Sequence, residues 1–523
     1  MPHQPEIYDV LVVGAGPAGL TTATGLARAG VRVLVADKHA STSIFPKATG
    51  VRPRTMEILR SWGLEQRVHA AGQDVRLQLA VSRVLSAPVV AVESLGVPGP
   101  AQTCAVSPSP FAFVPQDLLE PVLLGHLRER GGHVRFRTEL VGFDLGDDGV
   151  RARLRPRDGG GPAYEVCARY LVGADGPRST VRAGLAVDVE QLGAEGEHLT
   201  ALFTADLGRV LPEPPFALHW VTAPGAEGTF VAAGRHRWTY GWEKDPRHGD
   251  LPAPAPGRVR ERIRAAAGLP GLSLCVLGMF SWTFGAEVAS RYQAGRAFLV
   301  GDAAARTTPR RATGMNTGIA AAHNLAWKLA WVLRGWAGEA LLDTYEQERR
   351  PVGTANALRS LQPRDEVRDA PGWEEFGVTY TSAAIAAADT ATPAGTGEIA
   401  VPGVRAPHAW LDLPGRRIST LDLFDGRLTL LTGPAGREWR AAADRLAANR
   451  APLTALRFGP DLPDPHGSLA RRYAVGEAGA VLIRPDGYVA WRTRSPAPVA
   501  AAALSSAIDR ATGRSPAAAE RPA

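Results

Sequence analysis

Three groups of residues carry the chemistry legible in this chain. The first is Gly14-x-Gly16-x-x-Gly19, which directly follows the apolar run Val10 to Val13. Glycines at these spacings serve a phosphate: Gly14 permits a tight turn, Gly16 lets a pyrophosphate approach the backbone, and Gly19 lets a helix pack closely on a sheet. A helix is predicted over 17–29, with its free N–H groups and positive dipole end turned to the anion. Gly30 ends it, a strand follows over 31–36, and Asp37 comes 23 residues after Gly14, near the place of an acid that accepts a ribose hydroxyl hydrogen bond. Strand, glycines, helix, strand and acid together read as a dinucleotide cradle, and Pro17, Ala18 and Lys38 are counted among its binding residues.

The second group is Gly173-Ala174-Asp175-Gly176 with Arg178 and Ser179, entered from a predicted strand over 164–172. By itself the Asp-Gly pair is a turn signal. The third is Gly301-Asp302, at the end of an apolar strand over 297–300, followed by Pro309 and by Gly314-Met315-Asn316. An aspartate just past the C-terminal end of a strand stands where ligands bind in open α/β sheets. The spacing of Ile319, Ala322, Ala326, Leu329 and Leu333 predicts a helix from Gly314 to Gly335.

These groups need a large scaffold, and 523 residues predict two to four domains. The three cysteines, Cys104, Cys167 and Cys275, have neither C-x-x-C nor metal-ligand spacing, which argues against a disulfide framework or a metal site and for a reduced, cytoplasmic setting. No signal-peptide pattern or membrane-length apolar run is present. The net charge of +7 is interleaved along the chain, which favours a solvated basic surface over a nucleic-acid footprint.

Between the motifs, a Pro/Gly-rich loop covers 43–54 and leads to a helix over 55–61. Another helix is predicted over 116–130, and β-like alternation appears over 75–97 and 200–284. In the latter, Phe216, Leu218 and Trp220 form one alternating trio and Trp238, Tyr240 and Trp242 another. Each is either sheet core or a wall for a flat ligand. A helix over 341–350 meets Pro351, a predicted interruption. An Ala/Thr/Gly/Pro-rich connection over 382–403 leads to a separate module, with strands at 428–431, 480–483 and 488–491, a turn at Pro485-Asp-Gly, a final helix, and a frayed tail after Arg514.

Taken in order, the three groups resemble the FAD-dependent aromatic hydroxylases, single-component flavoprotein monooxygenases of the p-hydroxybenzoate hydroxylase fold. The resemblance covers residues 8 to 355. Arg405-Ala-Pro-His-Ala-Trp-Leu and Ser419-Thr-Leu-Asp-Leu-Phe424 resemble the branch that acts on polycyclic aromatic polyketides. It implies an α/β fold: a Rossmann-like FAD-binding domain over 1–185 and 290–400, an inserted β-rich substrate domain over 75–110 and 186–289, and a thioredoxin-like C-terminal domain over 401–515. That last domain lacks redox cysteines in the branch, in keeping with the absence of cysteine after Cys275.

The resemblance further implies that Asp302 contacts the ribityl chain, that the helix start at Gly314 to Asn316 faces the flavin pyrimidine edge, and that Asp175 lies near the flavin and nicotinamide paths. Gln116 resembles a polar residue that touches FAD, while Lys47 and Arg54 flank the loop that carries a pyrophosphate-binding arginine. The chain departs from the family at Lys47, where arginine is common, at Ala305, where histidine is usual, and at Ala312-Thr313, where Gly-Gly is common. A lysine keeps the charge and loses the planar fork.

The implied reaction has NADPH or NADH reduce FAD, O2 trapped as a C4a-hydroperoxide, and the distal oxygen passed to an electron-rich ring, so no side-chain catalyst is named. No second glycine fingerprint is needed for the nicotinamide. Trp220, Tyr240, Trp282 and Phe284 are the candidate substrate-facing residues, with His219 or His236 as partners for a phenol. The partner is a small polycyclic aromatic molecule, with no nucleic acid and no membrane. Baeyer–Villiger oxygenation on the same scaffold and a flavin-binding protein without monooxygenase activity are the alternatives. A plain NAD-dependent dehydrogenase is disfavoured by Gly301-Asp302.

Overall fold

The computed structural model describes residues 6–514 apart from 160, 245–254, 363–374, 388–398, 448–450 and 495–499. Uninterrupted apolar runs build the first sheet. Its parallel core has the order Ala297–Leu299, Tyr164–Gly173, Glu6–Val13, Val33–Ala36, His133–Arg135. Val10, Leu11 and Val12 are fully buried, as suits parallel strands covered on both faces. The helix Pro17–Arg28 begins right after the glycine turn and packs on the helix Gly314–Leu333.

A second, eight-stranded sheet has the order Ala305–Arg306, Leu274–Ala289, Val189–Ala205, Arg237–Glu243, Gly228–Gly234, Phe216–Val221, Arg76–Ser82, Ala91–Ser94. The predicted β-rich stretch is broken by a helix, Pro256–Ala267, which packs Val259, Ile263, Ala266 and Ala267 into the core of this sheet. Its sequence carries both terminal signals, proline in the first turn and Gly268 at a left-handed C-cap with φ 66°.

The C-terminal module has a four-stranded sheet of order Leu453–Arg457, Leu428–Thr432, Ala480–Ile483, Val489–Thr493. The first pair is parallel and the others antiparallel, and helices Arg437–Ala447 and Ala500–Ala511 accompany it. This βαβ unit followed by ββα is the thioredoxin-like arrangement. Part of the predicted connection and the tail after Arg514 lie outside the described residues.

The predicted break at Pro351 is corrected: one helix runs from Ala340 to Leu361. Proline removes one backbone donor, but Glu348, Arg349, Gly353 and Ala357 on either side are buried, so tertiary packing holds the helix through it. Glu348 also anchors the module. It accepts from Lys328 Nζ at 2.8 Å and from Arg484 Nη1 and Nη2 at 2.6 and 2.8 Å, and Arg484 in turn binds Asp486. All four side chains are buried, so removing one member would leave charge uncompensated. Among the described residues no helix is long and apolar enough to cross a membrane.

Candidate active site

The three motif groups converge. Gly14 has φ 105°, and a Cβ on it would stand 2.3 Å from the carbonyl oxygen of Ala174, so the first glycine turn and the Gly173–Gly176 turn lie backbone to backbone. A Cβ on Gly19 would meet the Gly14 oxygen at 1.9 Å, which makes this close helix approach specific to glycine. At Gly16 a Cβ would meet nothing within 4 Å: the turn is open there, where a phosphate would come. The third group closes the arrangement, since a Cβ on Gly301 would stand 2.9 Å from the Ala18 Cβ and one on Gly318 would stand 3.1 Å from the Gly301 Cα.

Asp37 reaches this turn. Its Oδ2 accepts the Ala15 N–H at 2.6 Å, and its Oδ1 accepts the His39 N–H at 2.7 Å. Pro17 and Ala18 open the helix beside it, and Lys38 is exposed. Asp302 is exposed just past the end of its strand, with protein groups gathered around it. Enclosure raises its pKa above the ordinary carboxylate value, Arg306 and Lys47 pull it back, and Glu287 adds to the rise. Lys47 also acts on Glu120, which is buried and raised by burial; Glu120 accepts from Gln116 Nε2 at 2.7 Å and from the Ser43 N–H at 2.7 Å. Lys47 and Gln116 are thereby both brought to Glu120.

Several predicted residues have their side chains engaged within the protein. Asp175 accepts from Ser179 Oγ and from the N–H groups of Thr180 and Val181, capping the helix Thr180–Gly184. Asn316 accepts the Arg52 N–H at 2.9 Å and donates to the carbonyls of Gly50 and Ala312, at 2.9 and 2.7 Å. It locks the 43–54 loop onto the start of its helix. That helix start has no side-chain cap, so its first N–H groups remain available, and the buried Thr313 Oγ1 has no partner among the described residues. Met315 is half-buried against the main core, and Pro309 is exposed. Arg311 and Ala312 hold φ values of 66° and 51°, a left-handed backbone that costs non-glycine residues about 1–2 kcal/mol each. Arg54 points elsewhere: it pairs with Glu57 at 2.8 Å, donates to the Asp486 carbonyl at 2.7 Å and lies over the Tyr488 ring. The structure assigns its charge to the seam with the C-terminal module, because Glu57 and that carbonyl satisfy it there.

The candidate substrate residues divide. Trp282 stacks on His198, centroids 4.7 Å apart and planes 19° apart, and its Nε1 donates to Thr200 Oγ1 at 3.0 Å. Phe284 lies 5.9 Å from Trp282 and carries the Arg310 guanidinium 4.8 Å from its ring centre. On the same strand face, Phe280 packs 4.8 Å from Phe45 of the 43–54 loop. An aromatic wall therefore faces two loops of the flavin side. His198, Phe45, Phe280 and Arg310 were not legible as members. Their assembly depends on long-range register, although the pairing of His198 with Trp282 follows once the two long strands are aligned.

Tyr240 is corrected: it is fully buried on the opposite face, its hydroxyl donates to the carbonyls of Ala226 and Glu227, and burial pushes its pKa up to about 12. Trp220 shares the face of Phe280, through the register Phe280, Thr200, Gly241, Thr229, Trp220, but lies four strands off, roughly 19 Å away. His219 is buried against Ser82 at 2.7 Å with its pKa lowered to about 4 by burial, and His236 sits exposed in a hairpin turn with φ 56°. Neither histidine belongs to the wall. Among the described residues no group of His, Cys, Asp or Glu could hold a metal ion.

The open backbone at Gly16, the uncapped helix start at Gly314 and the exposed Asp302 at the strand end fit a flavin dinucleotide. Residues 7–360 match the FAD binding domain family, and residues 400–515 match the aromatic-ring hydroxylase C-terminal family. The chain belongs to the FAD-dependent aromatic-ring hydroxylases, and it is an FAD-dependent monooxygenase of that class.

Among its relatives, the aklavinone 12-hydroxylase RdmE of Streptomyces purpurascens is 38% identical over 97% of this chain and 99% of the relative. The tetracenomycin B2 monooxygenase-dioxygenase of Streptomyces olivaceus is 39% identical over 97% and 98%. The crystal structure of aklavinone-11 hydroxylase with FAD and aklavinone superposes with a TM-score of 0.89 at 36% identity, covering 98% of this chain and 100% of the other.

Proposed function

We propose that the protein hydroxylates a polycyclic aromatic polyketide, with NADPH or NADH as reductant and O2 as co-substrate. The observation that carries this is the wall of Phe280, Trp282 and Phe284, braced by His198, Phe45 and Arg310 beside the flavin cradle. Flat aromatic faces bind a flat ring by offset stacking and exclude water from it. Aklavinone and tetracenomycin in the names of the relatives support the same class of substrate.

Bound FAD supplies the redox and oxygen-transfer chemistry. The chain's own residues bind, orient and screen. Gly14, Gly16, Gly19 and Asp37 hold the dinucleotide end, and Asp302, Lys47 and Gln116 line the cleft. The helix start at Gly314 would hold an electron-rich edge of the cofactor with its unpaired N–H groups. Trp282 is fixed in plane by Thr200 and positions the substrate ring, and Arg310 places a cation at the edge of the wall, where a phenolate oxygen gains from it. The working division is a flavin domain over 1–185 and 290–400, a substrate domain over 75–110 and 186–289, and a C-terminal domain over 401–515.

The test is NADPH and NADH oxidation by the FAD-loaded enzyme against a panel of polycyclic phenols, with products characterised by NMR. Substrate-stimulated oxidation yielding a new ring hydroxyl supports the reading. A ring-expanded lactone, or no phenol that stimulates oxidation, overturns it.

A further inference from the structure

Arg306 lies on the two-residue strand Ala305–Arg306, which pairs antiparallel with Leu274–Ala289 so that Arg306 stands opposite Glu287. This ladder ties the segment that carries Asp302 to the edge of the substrate sheet. Across it, Arg306 Nη2 is 3.2 Å from Glu287 Oε2, and the same oxygen accepts from Gln191 Nε2 at 2.7 Å. The Glu287 side chain is only 9% exposed, so this is no solvent-screened surface pair. Gly285 makes room for the guanidinium: a Cβ there would stand 3.4 Å from Nη2.

The guanidinium is only partly answered. Its Nε–H is buried and has no acceptor among the described residues. A buried donor without an acceptor is costly, and a guanidinium fixed at one end presents its remaining N–H groups in a rigid fork. Arg306 lies four residues past Asp302 on the strand that continues its segment, and its charge acts on Asp302 together with that of Lys47 and against that of Glu287.

We propose that Arg306, anchored by Glu287 and Gln191, is a cofactor-binding residue that donates to an acceptor oxygen of bound FAD beside Asp302. The inference rests on the reading that Asp302 faces the cofactor. Glu287 then has the role of a positioning residue, acting only through the guanidinium. The cation answers one need at both ends: it offsets the Glu287 carboxylate in the sheet and gives the cofactor a directed donor.

The experiment measures the FAD dissociation constant of the holoenzyme from the fluorescence of released flavin, between pH 5.5 and 8.5, for the wild type and for Arg306→Ala, Arg306→Lys, Glu287→Gln and Asp302→Asn. Arg306→Ala is expected to weaken FAD binding about tenfold and to move the acid limb of affinity to higher pH, because Asp302 loses a cation that keeps it ionised. Arg306→Lys is expected to restore the pH profile and only part of the affinity, since an ammonium keeps charge without the fork. Glu287→Gln should cost two- to threefold. If Asp302→Asn weakens FAD binding while Arg306→Ala matches the wild type in affinity and pH profile, this inference is overturned and the placement of Asp302 stands. If Asp302→Asn has no effect, the placement and the inference fall together. Should Arg306→Ala not fold, wild-type affinity in both Arg306→Lys and Glu287→Gln overturns the proposal.

Discussion

The two faces of the eight-stranded sheet carry similar aromatic residues and have opposite fates. On one face Trp238, Tyr240, Trp242 and Phe230 are sealed beneath the helix Pro256–Ala267. On the other, Phe280, Trp282 and Phe284 face loops of the flavin side, through Phe45 and Arg310. The difference lies in what covers each set, not in the residues. A face covered by its own domain's helix is core, and a face covered by another domain's loops leaves room for a ligand between them.

The largest expected effect breaks the closed face. Tyr240→Ala removes a fully buried ring and its two hydrogen bonds, and should lower unfolding free energy by about 3–5 kcal/mol in denaturant titration. The KM of the molecules that remain folded should stay at the wild-type value. A shifted KM without destabilisation would place Tyr240 in the site after all.

Acid attacks the same face. Burial holds the His219 pKa at about 4, below its unfolded value, so folding favours the neutral ring. The resulting stability is fully present above about pH 6.5, declines as the unfolded chain begins to take up a proton, and is gone below the folded pKa, for a loss of up to about 3 kcal/mol. Unfolding free energies of wild type and His219→Gln, measured from pH 7 to 4, should converge toward acid. Parallel curves would contradict this.

On the open face the readout changes from stability to turnover. Trp282→Ala is expected to cut kcat/KM for a polycyclic phenol by about 10–100-fold, as loss of one well-packed aromatic contact does, with little change in FAD content. The smallest effect sharpens the boundary of the wall. Trp220 is 41% exposed and distant in the sheet, so Trp220→Ala should change kcat/KM less than threefold and stability by less than about 0.5 kcal/mol.

What was legible in the sequence follows the range of the interactions involved. Gly14, Gly16, Gly19 and Gly301-Asp302 declare themselves because turn geometry and close backbone approach are local demands that few residue types can meet. Strand alternation likewise separates Trp282 from its neighbours. It cannot say which face is covered: that is decided by the helix Pro256–Ala267, whose proline and glycine signals lie inside a stretch read as β. Tyr240 was misplaced for that reason. Arg54 illustrates the same limit with charge, since its partner carbonyl on Asp486 is brought to it only by docking of the C-terminal module. His198 joins the wall through register across two long, bulged strands, information no local window contains.

On the proposed reading, substrate binds between the open sheet face and the flavin cradle. The most direct measurement is a crystal structure of the FAD-loaded protein with a bound polycyclic phenol. The ring is predicted to stack on Trp282 and Phe284, with the flavin held between Gly14–Gly19 and Gly301–Asn316. A ligand lodged on the face of Tyr240, or a flavin seated away from those glycines, would contradict it.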